Sequence, residues 1–340
     1  MMKKKKILYI GTNLSSKSKY TSSMATLSEM LHLEGYEITK SSSKPNKYLR
    51  FLAMLWSVFK MRNSIDYVLI DTFSTSNFYY AVATSQLARL CSLKYIPILR
   101  GGNLPYRLAA FPKLSALLFQ HSYKNIAPSK YMQYAFKERG FESDYIPNSI
   151  PIEKYDFKLR DEVKPKILWV RAFDQTYNPV LAIKVLSLLK NTFEAIELCM
   201  VGPDKDGSLS EAKLMAQQLN VLNSVSFTGV LPNDQWHLLS KKYDIFINTT
   251  NVDNMPVSIL EAMALGFPIV STNAGGLPYL IEDGIDGILV PVNDERAMAN
   301  AIKDLIHNPE KATFLSGNAR KKATEFDMNH VKRQWLDLLK

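Results

Sequence analysis

Cysteine and long apolar runs are the features that this chain most clearly lacks. Its 340 residues include only Cys91 and Cys199, which lie far apart in apolar surroundings. This excludes a disulfide framework and predicts two reduced core residues. No apolar run approaches the ~20 residues that span a bilayer. The four apolar residues after the N-terminal lysines are too few for a signal-peptide core. We therefore expect a cytoplasmic protein.

Several catalytic motifs are absent as well. No G-x-G-x-x-G and no P-loop pattern occurs, which argues against a dehydrogenase or a kinase. The five histidines show no metal-ligand spacing and no G-x-S-x-G accompanies them, which argues against metal-hydrolase and Ser-His-Asp chemistry. The pair Asp204-x-Asp206 could chelate a metal, but its proline and glycine flanks favour a turn. We expect neither a metal nor a cofactor.

Acidic residues are scarce in the first half of the chain. Residues 1–155 hold 22 Lys+Arg against 9 Asp+Glu, a formal charge of +13, whereas the remainder holds 20 against 23, or −3. A basic half beside a nearly neutral one implies an anionic partner for the basic half. Because no recognised nucleic-acid-binding module or interleaved aromatic-basic patch is present, an anionic membrane surface or lipid phosphate is favoured over nucleic acid.

Strand-like apolar segments alternate with helical patterns through both halves, which predicts an α/β fold with parallel, doubly wound sheets. The alternation is interrupted between Pro147 and Pro165 by a polar, proline-bearing segment that is typical of a linker. The predicted organisation is an N-terminal Rossmann-like domain at residues 1–155, a C-terminal one at 156–326 and an amphipathic helix at 327–340.

Residues 243–291 form the most informative stretch. Ile245–Asn248 predicts a strand, a polar loop with Asp253 follows, and a helix carrying Glu261 leads to a second strand that ends at Gly275-Gly276. In such βαβ units, ligands bind at the carboxyl ends of the strands, against the helix N-terminus. Two carboxylates eight residues apart suit polyol hydroxyls, and a helix start suits a phosphate. The unit therefore indicates a nucleotide-sugar site.

The same stretch resembles the C-terminal signature of family 4 glycosyltransferases, which are retaining enzymes of the GT-B fold. That signature reads E-x7-E, A-M-A-x-G-x-P and G-G-x-P. The matching residues here are Asp253-x7-Glu261, Ala262-Met263-Ala264, Gly266, Pro268 and Gly275-Gly276-x-Pro278. The resemblance implies GT-B architecture, in which two Rossmann-like domains face a cleft and the last helix often crosses back to the first domain. It also implies a metal-independent, retaining transfer from a nucleotide-sugar donor.

The resemblance assigns roles to residues in the second half of the chain. Arg171 and Asp253 are the implied catalytic residues, one on the departing diphosphate and the other on the donor-sugar hydroxyls. Glu261 would bind the ribose. The remaining implied donor-binding residues are Gly202, Asn254, Met255, Pro256, Val257 and Ser258. Two positions depart from the family, since Asp253 replaces the usual Glu and Thr176 replaces the usual Lys.

In the first half, the resemblance points to the ends of two strands. Gly11 and Asn13 follow the first strand, where the family places donor phosphates and acceptor. Arg100 and Asn103 end the fourth, where many relatives carry a His that contacts the donor sugar. We assign this pair to the acceptor or donor-sugar side.

Structural interpretations of these residues stay open. Ser258-x-x-Glu261 also matches a capping box, in which Glu261 would bond a backbone N–H at the helix start. Gly275-Gly276 matches a turn. Arg100 would also suit a surface ion pair, and Arg171 would also suit a surface position. The predicted helix Lys44–Arg62 is apolar nearly all round, which is typical of burial. Its tryptophan and basic rim also fit a membrane interface.

The function that these patterns favour is transfer of a sugar to a saccharide or polyprenyl-linked acceptor during synthesis of a bacterial surface polysaccharide. The protein would then work in the cytoplasm, attached peripherally to the inner face of the membrane. Two alternatives remain, a GT-B sugar-nucleotide epimerase and a relative that binds nucleotide sugars without turnover.

Overall fold

The computed structural model describes residues 5–11 and 22–340. These residues form two compact units. One unit contains the described residues up to Asn148 together with Asn329–Lys340, and the other contains Ser149–Met328. The boundary thus follows Asn148, whereas the sequence predicts it at residue 155. The predicted site residue Asn13 lies outside the described residues.

The first unit is built on a parallel sheet in the order β2-β1-β3-β4-β5-β6. Its strands are β1 (Lys6–Ile10), β2 (Glu37–Ser41), β3 (Tyr67–Thr72), β4 (Lys94–Leu99), β5 (Ile126–Ala127) and β6 (Asp144–Tyr145). Its helices are α1 (Ser23–Leu33), α2 (Lys47–Met61), α3 (Asn77–Leu90), α4 (Leu104–Ala110), α5 (Pro112–Phe119) and α6 (Lys130–Lys137). The sequence pattern missed β2, because this edge strand is largely exposed and polar.

The second unit is also built on a six-stranded parallel sheet, but with the different strand order β12-β11-β10-β7-β8-β9. Its strands are β7 (Lys166–Val170), β8 (Glu197–Val201), β9 (Val225–Gly229), β10 (Ile245–Asn248), β11 (Ile269–Thr272) and β12 (Ile288–Val290). Its helices are α7 (Pro179–Lys190), α8 (Ser208–Gln218), α9 (Asn233–Ser240), α10 (Val257–Ala264), α11 (Glu295–His307) and α12 (Pro309–Thr324). The last helix, α13 (Met328–Leu338), follows in the chain but all of it beyond Met328 belongs to the first unit. The order is that of the Rossmann fold.

Both sheets owe their burial to apolar strands covered by helices. The residues of β1 from Ile7 onward and all of β10 are buried, as expected for parallel strands with helices on both faces. Side-chain caps set several helix starts. Asn178 accepts from Leu181 N at 3.3 Å to begin α7, and Asp294 accepts from Ala297 N at 2.8 Å to begin α11. The predicted pair of doubly wound parallel sheets is present.

The proline-bearing segment 147–165 is mostly a packed part of the second unit. Arg160 is almost fully buried, and its guanidinium donates to the carbonyls of Lys158 and Leu265 and lies 4.0 Å from the Phe267 ring centroid. The end of the chain groups with the first unit. There, Lys5 Nζ donates to Leu339 O at 2.9 Å.

Helix α2 differs from the burial expected for it. Met54 and Val58 are buried in the first core, but Leu49, Leu52 and Trp56 are more than half exposed. The prediction of burial all round was therefore wrong for one face of this helix. Its apolar composition suggested a core helix because periodicity alone does not show which faces the fold covers.

Candidate functional site

The candidate site lies where the strand order of the second sheet reverses. The chain starts this sheet at β7, adds β8 and β9 on one side, and then returns to place β10 on the other side of β7. The loops that leave β7 and β10 therefore diverge, and a crevice opens at their carboxyl ends. Arg171 follows β7 directly, and Asp253 lies in the loop after β10.

Arg171 and Asp253 meet at this point. Arg171 Nη2 forms a short ion pair with Asp253 Oδ2, and Nη1 donates to Ser258 Oγ at 3.4 Å. The guanidinium also lies 4.0 Å from the Tyr177 ring centroid. The structure thus brings together both predicted catalytic residues and the start of α10. The surface position considered for Arg171 is wrong, because this side chain is largely buried.

The electrostatic environment of Arg171 favours an anionic ligand. Burial lowers the pKa of its guanidinium, because a charged group loses hydration there. Arg171 Nε has no hydrogen-bond partner in the described part of the chain. A ligand that brings negative charge would offset the hydration that the guanidinium has lost.

The loop after β10 is held by the loop after β7. Thr250 Oγ1 and Asn251 N donate to Thr176 O at 3.1 and 2.8 Å, and Thr249 Oγ1 donates to Tyr177 O at 2.7 Å. Thr176 stands where the resembled family carries a lysine. Here its backbone carbonyl anchors the loop that carries Asp253. The residue therefore helps to position that loop but adds no positive charge to the site.

Helix α10 begins beside the ion pair. Pro256 precedes its first residue, Val257, and no side chain caps this helix. The capping-box interpretation of Ser258-x-x-Glu261 is therefore wrong. Because the first N–H groups of a helix have no intrahelical partner and carry the positive end of its dipole, they suit a phosphate. Asn254 and Met255, just before the helix, are buried.

Glu261 lies one turn into α10 and is nearly buried. Its Oε1 accepts from Tyr155 Oη and from Asn233 Nδ2, both at 3.0 Å. His237 Nε2 is 3.7 Å from the same oxygen. Oε2 receives no hydrogen bond from any residue in 5–11 or 22–340 and is the acceptor that a ligand hydroxyl can use. No sequence pattern indicated Tyr155, Asn233 or His237, because only the tertiary fold brings them to Glu261.

Gly202 acts on the site through the backbone. A Cβ on it would lie 1.8 Å from Arg171 O, and its φ of +152° favours glycine. The missing side chain of Gly202 therefore allows the end of β8 to pack closely against the backbone of Arg171. The nearby Asp204 and Asp206 form the predicted turn. Asp204 Oδ1 accepts from Gly207 N at 3.0 Å, and Asp206 accepts from Ser208 N and Gln175 N.

Gly275-Gly276 supports the loop of Asp253. A Cβ on Gly275 would lie 2.2 Å from Asp253 O, and one on Gly276 would lie 1.8 Å from Asn254 O. Gly276 N donates to Asp253 O at 2.9 Å. The two glycines are thus more than a turn, because their missing side chains allow the loop after β11 to touch the loop of Asp253.

Substitution of Gly276 tests this packing. We expect Gly276→Ala to lower the free energy of unfolding by about 3 kcal/mol, because the new methyl group would collide with a backbone oxygen. Gly317→Ala is the matched control. Its Cβ meets nothing within 4 Å in α12, so it should raise stability by about 0.5–1 kcal/mol. Urea denaturation measures both, and an unchanged Gly276→Ala protein would contradict the close packing.

The predicted residues of the first unit lie in a separate network. Arg100 Nε pairs with Asp71 Oδ1 at 3.1 Å, and Tyr9 Oη donates to the same oxygen at 2.9 Å. Arg100 Nη1 also donates to Asn148 Oδ1 at 2.5 Å. The ion pair is buried, so the surface ion pair considered for Arg100 is wrong.

The other predicted residues of the first unit lie near this network or at a helix start. A Cβ on Gly11 would lie 3.1 Å from Asp71 Oδ2, which places this glycine beside the network. Asn103 precedes α4 without capping it.

The acidic and histidine side chains of the described residues show no metal-binding cluster. No group of three or more His, Cys, Asp or Glu side chains within residues 5–11 and 22–340 is placed to hold an ion. The charged centre of the site is instead the Arg171–Asp253 pair.

Comparison with known proteins identifies the stretch that carries the site. Residues 151–322 match the model of the family described as glycosyl transferases group 1. The chain is 28% identical over 197 residues to the amylovoran biosynthesis glycosyltransferase AmsK of Erwinia amylovora, covering 55% of this chain and 48% of that one. It is 26% identical over 190 residues to an α-1,4-N-acetyl-D-galactosaminyltransferase of Campylobacter jejuni, covering 55% and 51%. The alignments thus span about half the length of these curated relatives.

Solved structures show the same fold over nearly the whole chain. Anabaena HepE in complex with UDP and glucose is similar with a TM-score of 0.76 at 19% identity, covering 98% of this chain and 99% of that one. Sucrose-phosphate synthase from Thermosynechococcus elongatus is similar with a TM-score of 0.81 at 13% identity, covering 98% of each chain. Together with the two sheets, these likenesses confirm the predicted GT-B fold.

Proposed function

Because the chain belongs to the family of glycosyl transferases group 1, we propose that it is a retaining, metal-independent glycosyltransferase of the family 4 type. One observation carries the proposal. A buried arginine, a carboxylate and the start of α10 converge where the strand order reverses. This arrangement supplies a cation and helix N–H groups for a diphosphate, and a carboxylate for sugar hydroxyls.

The donor would bind along α10. Its diphosphate meets Arg171 and the N–H groups that follow Pro256, and its ribose meets Oε2 of Glu261. Asp253 and the backbone of Asn254 hold the donor-sugar hydroxyls. Pro256 has no N–H and cannot donate there. Support for a nucleotide-sugar donor comes from the similar fold of Anabaena HepE, which was crystallised with UDP and glucose.

The proposed reaction is a front-face displacement. The bond between the anomeric carbon and the diphosphate oxygen breaks, and the acceptor oxygen forms a new bond to that carbon on the same face. The acceptor proton passes to a departing phosphate oxygen. Negative charge grows on the diphosphate in the transition state, where Arg171 and the dipole of α10 would stabilise it. In this scheme neither a nucleophilic carboxylate nor a metal ion is used.

The acceptor is proposed to be a saccharide or a polyprenyl-linked saccharide of a bacterial surface polysaccharide, which places the enzyme in the cytoplasm at the inner face of the membrane. The names of the relatives support this class, since one acts in amylovoran biosynthesis and another transfers to a diphosphate-undecaprenol glycan.

Incubation with radiolabelled nucleotide sugars and a bacterial lipid extract tests the function. Transfer of label to the lipid fraction, or to an added saccharide, supports the proposal. Isomerisation of the nucleotide sugar would identify an epimerase, and saturable binding without product would identify a binding protein. Either outcome overturns the proposed transfer.

The variant Asp253→Asn distinguishes the contacts to the donor sugar from the contacts to the nucleotide. We expect turnover to fall by about 10- to 100-fold, the effect of weakening one charge-assisted hydrogen bond to a sugar hydroxyl. Binding of the nucleoside diphosphate should stay constant or tighten, because Arg171 loses the carboxylate that competes for it. Calorimetry and steady-state kinetics measure the two effects. Asp253→Glu, which restores the usual residue of the resembled family, is the control that should keep turnover. Wild-type turnover in the Asn variant would remove Asp253 from the mechanism.

A further inference from the structure

Helix α2 of the first unit exposes a row of large apolar side chains, which we call the α2 stripe. It consists of Leu49, Leu52, Trp56 and Phe59, which are 56%, 59%, 62% and 45% exposed. Their spacing of three, four and three residues places them on one helical face, about 15 Å long. The opposite face, with Met54 and Val58, packs into the core. The helix is therefore apolar on its solvent side as well as on its buried side.

The stripe has a rigid base. Tyr80 of α3 stacks on Phe51 with ring centroids 5.3 Å apart, and Tyr80 Oη donates to Lys47 O at 3.3 Å. Asn46 caps the helix start by accepting from Tyr48 N and Leu49 N. Along the stripe, the Trp56 and Phe59 ring centroids are 6.1 Å apart, and the Arg62 guanidinium is 4.1 Å from that of Phe59. An ordered helix thus presents the stripe.

The stretch of sequence that contains the stripe is strongly basic. Residues 38–137 contain 14 Lys+Arg and 2 Asp+Glu. Both acids have partners within the unit, since Asp71 pairs with Arg100 and Asp66 accepts from Lys6 N at 2.7 Å. Lys44 and Lys47 lie at the start of α2 and Lys60 at its end, all exposed. The stripe is therefore flanked by cations at both ends.

We propose that the α2 stripe docks this protein on the surface of an anionic lipid bilayer, with α2 lying in the plane of the interface. Tryptophan with leucine and phenylalanine on one side and lysines at the margins is the composition that such interfacial helices use. The surrounding positive charge opposes pairing with a second copy of the same stripe, because like charges would meet. Within the described residues, no helix is long and apolar enough to cross a bilayer, so the contact is reversible docking.

This docking does not depend on the proposed sugar transfer. The α2 stripe lies in the first unit, and none of its residues belongs to the cluster around Arg171. Its experiment therefore uses no nucleotide sugar. Loss of transfer and loss of docking are separate observations.

The test is co-sedimentation of the full chain with vesicles of equal phosphatidylcholine and phosphatidylglycerol, or of phosphatidylcholine alone. We expect binding to the anionic vesicles at low salt, little binding to the neutral ones, and weaker binding at high salt. Of the four tryptophans, all described, Trp56 alone is exposed, since Trp169, Trp236 and Trp335 are at most 4% exposed. A blue shift of tryptophan emission on adding anionic vesicles therefore reports insertion of the stripe.

Matched variants identify the surface. Leu52→Gln with Trp56→Gln should weaken vesicle binding at least tenfold, because the apolar contact is lost. Leu214→Gln with Leu238→Gln, two residues similarly exposed on helices of the second unit, should leave binding unchanged. Replacing Lys44, Lys47 and Lys60 with glutamine should weaken binding about 100-fold, since each lysine near an anionic surface contributes roughly fivefold. The triple lysine variant changes only exposed polar positions. It therefore still tests the proposal if the Leu52→Gln with Trp56→Gln protein folds poorly.

Three outcomes would overturn the proposal. The protein stays in the supernatant with anionic vesicles at low salt, or the Leu214/Leu238 control loses binding as strongly as the stripe variant. The third is a dimer in solution that Leu52→Gln with Trp56→Gln dissociates, without vesicle binding by the wild type. That last result would assign the stripe to contact between copies of the chain.

Discussion

Replacing Arg171 with alanine is expected to lower kcat/KM for sugar transfer by about 10²–10³-fold, the usual effect of removing one donor to a developing oxyanion. Arg171 is the cation at the centre of the candidate site, largely buried and next to the start of α10. In water its charge would be screened, but in this enclosed position it would stabilise the departing diphosphate of the proposed reaction more strongly. Because Thr176 stands where the resembled family has a lysine, this position supplies no second cation for the task.

The Arg171 experiment needs a control for folding. Arg171→Ala alone leaves the Asp253 carboxylate without its partner, which destabilises a partly buried site. The double variant Arg171→Ala with Asp253→Asn removes both charges and should recover stability but not activity. Arg171→Lys should fall between, because an ammonium keeps the charge but loses the planar fork. Arg296→Ala, on the exposed side of α11, should match the wild type.

Kinetics with the donor and calorimetry with the nucleoside diphosphate measure the effect. We expect Arg171→Ala to lose both turnover and diphosphate affinity, whereas Asp253→Asn loses turnover alone. The two variants therefore distinguish the phosphate side of the site from the sugar side. Near-normal transfer by the double variant would show that the leaving group is stabilised elsewhere.

The sequence predicted that Arg171 and Asp253 would lie together, because both residues are close in sequence to strand ends. Arg171 follows β7 and Asp253 follows β10, and parallel strands bring such positions to one edge of the sheet. Periodicity also predicted the strands of both sheets except β2. The missed strand lies at an edge, where exposure replaces the apolar signal on which the prediction depends.

Contacts made by distant side chains were not predictable in the same way. The guanidinium of Arg100 bonds Asp71, Tyr9 and Asn148, and nothing in the sequence around Arg100 indicates these partners. Helix α2 shows the same difficulty. Its composition is compatible with a core or with an exposed surface, and the packing of α3 on only part of it decides between them. Tertiary neighbours thus decide what a side chain does once its position is known.

The second large effect is expected at Glu261. Glu261→Ala should weaken binding of the nucleoside diphosphate by about 10- to 100-fold, because a charge-assisted bond to a ribose hydroxyl contributes about 1.5–3 kcal/mol. It should also lower stability by about 1–3 kcal/mol, since Tyr155 Oη and Asn233 Nδ2 lose their shared acceptor inside the fold. Glu194→Ala, an exposed position in the same unit, is the control that should change neither quantity.

Tyr155→Phe separates the ribose contact from simple destabilisation. Tyr155 touches Glu261 and no proposed ligand atom, so it is a positioning residue. Burial and the adjacent carboxylate raise the pKa of Tyr155, so its hydroxyl stays protonated and donates at any working pH. Without that bond, Glu261 loses one of the two donors that fix its orientation. We expect KM for the donor to rise several-fold while kcat stays constant, because ribose binding acts equally in the ground state and the transition state. A fall in kcat with unchanged KM would instead place Glu261 on the reacting sugar and move the nucleotide away from α10.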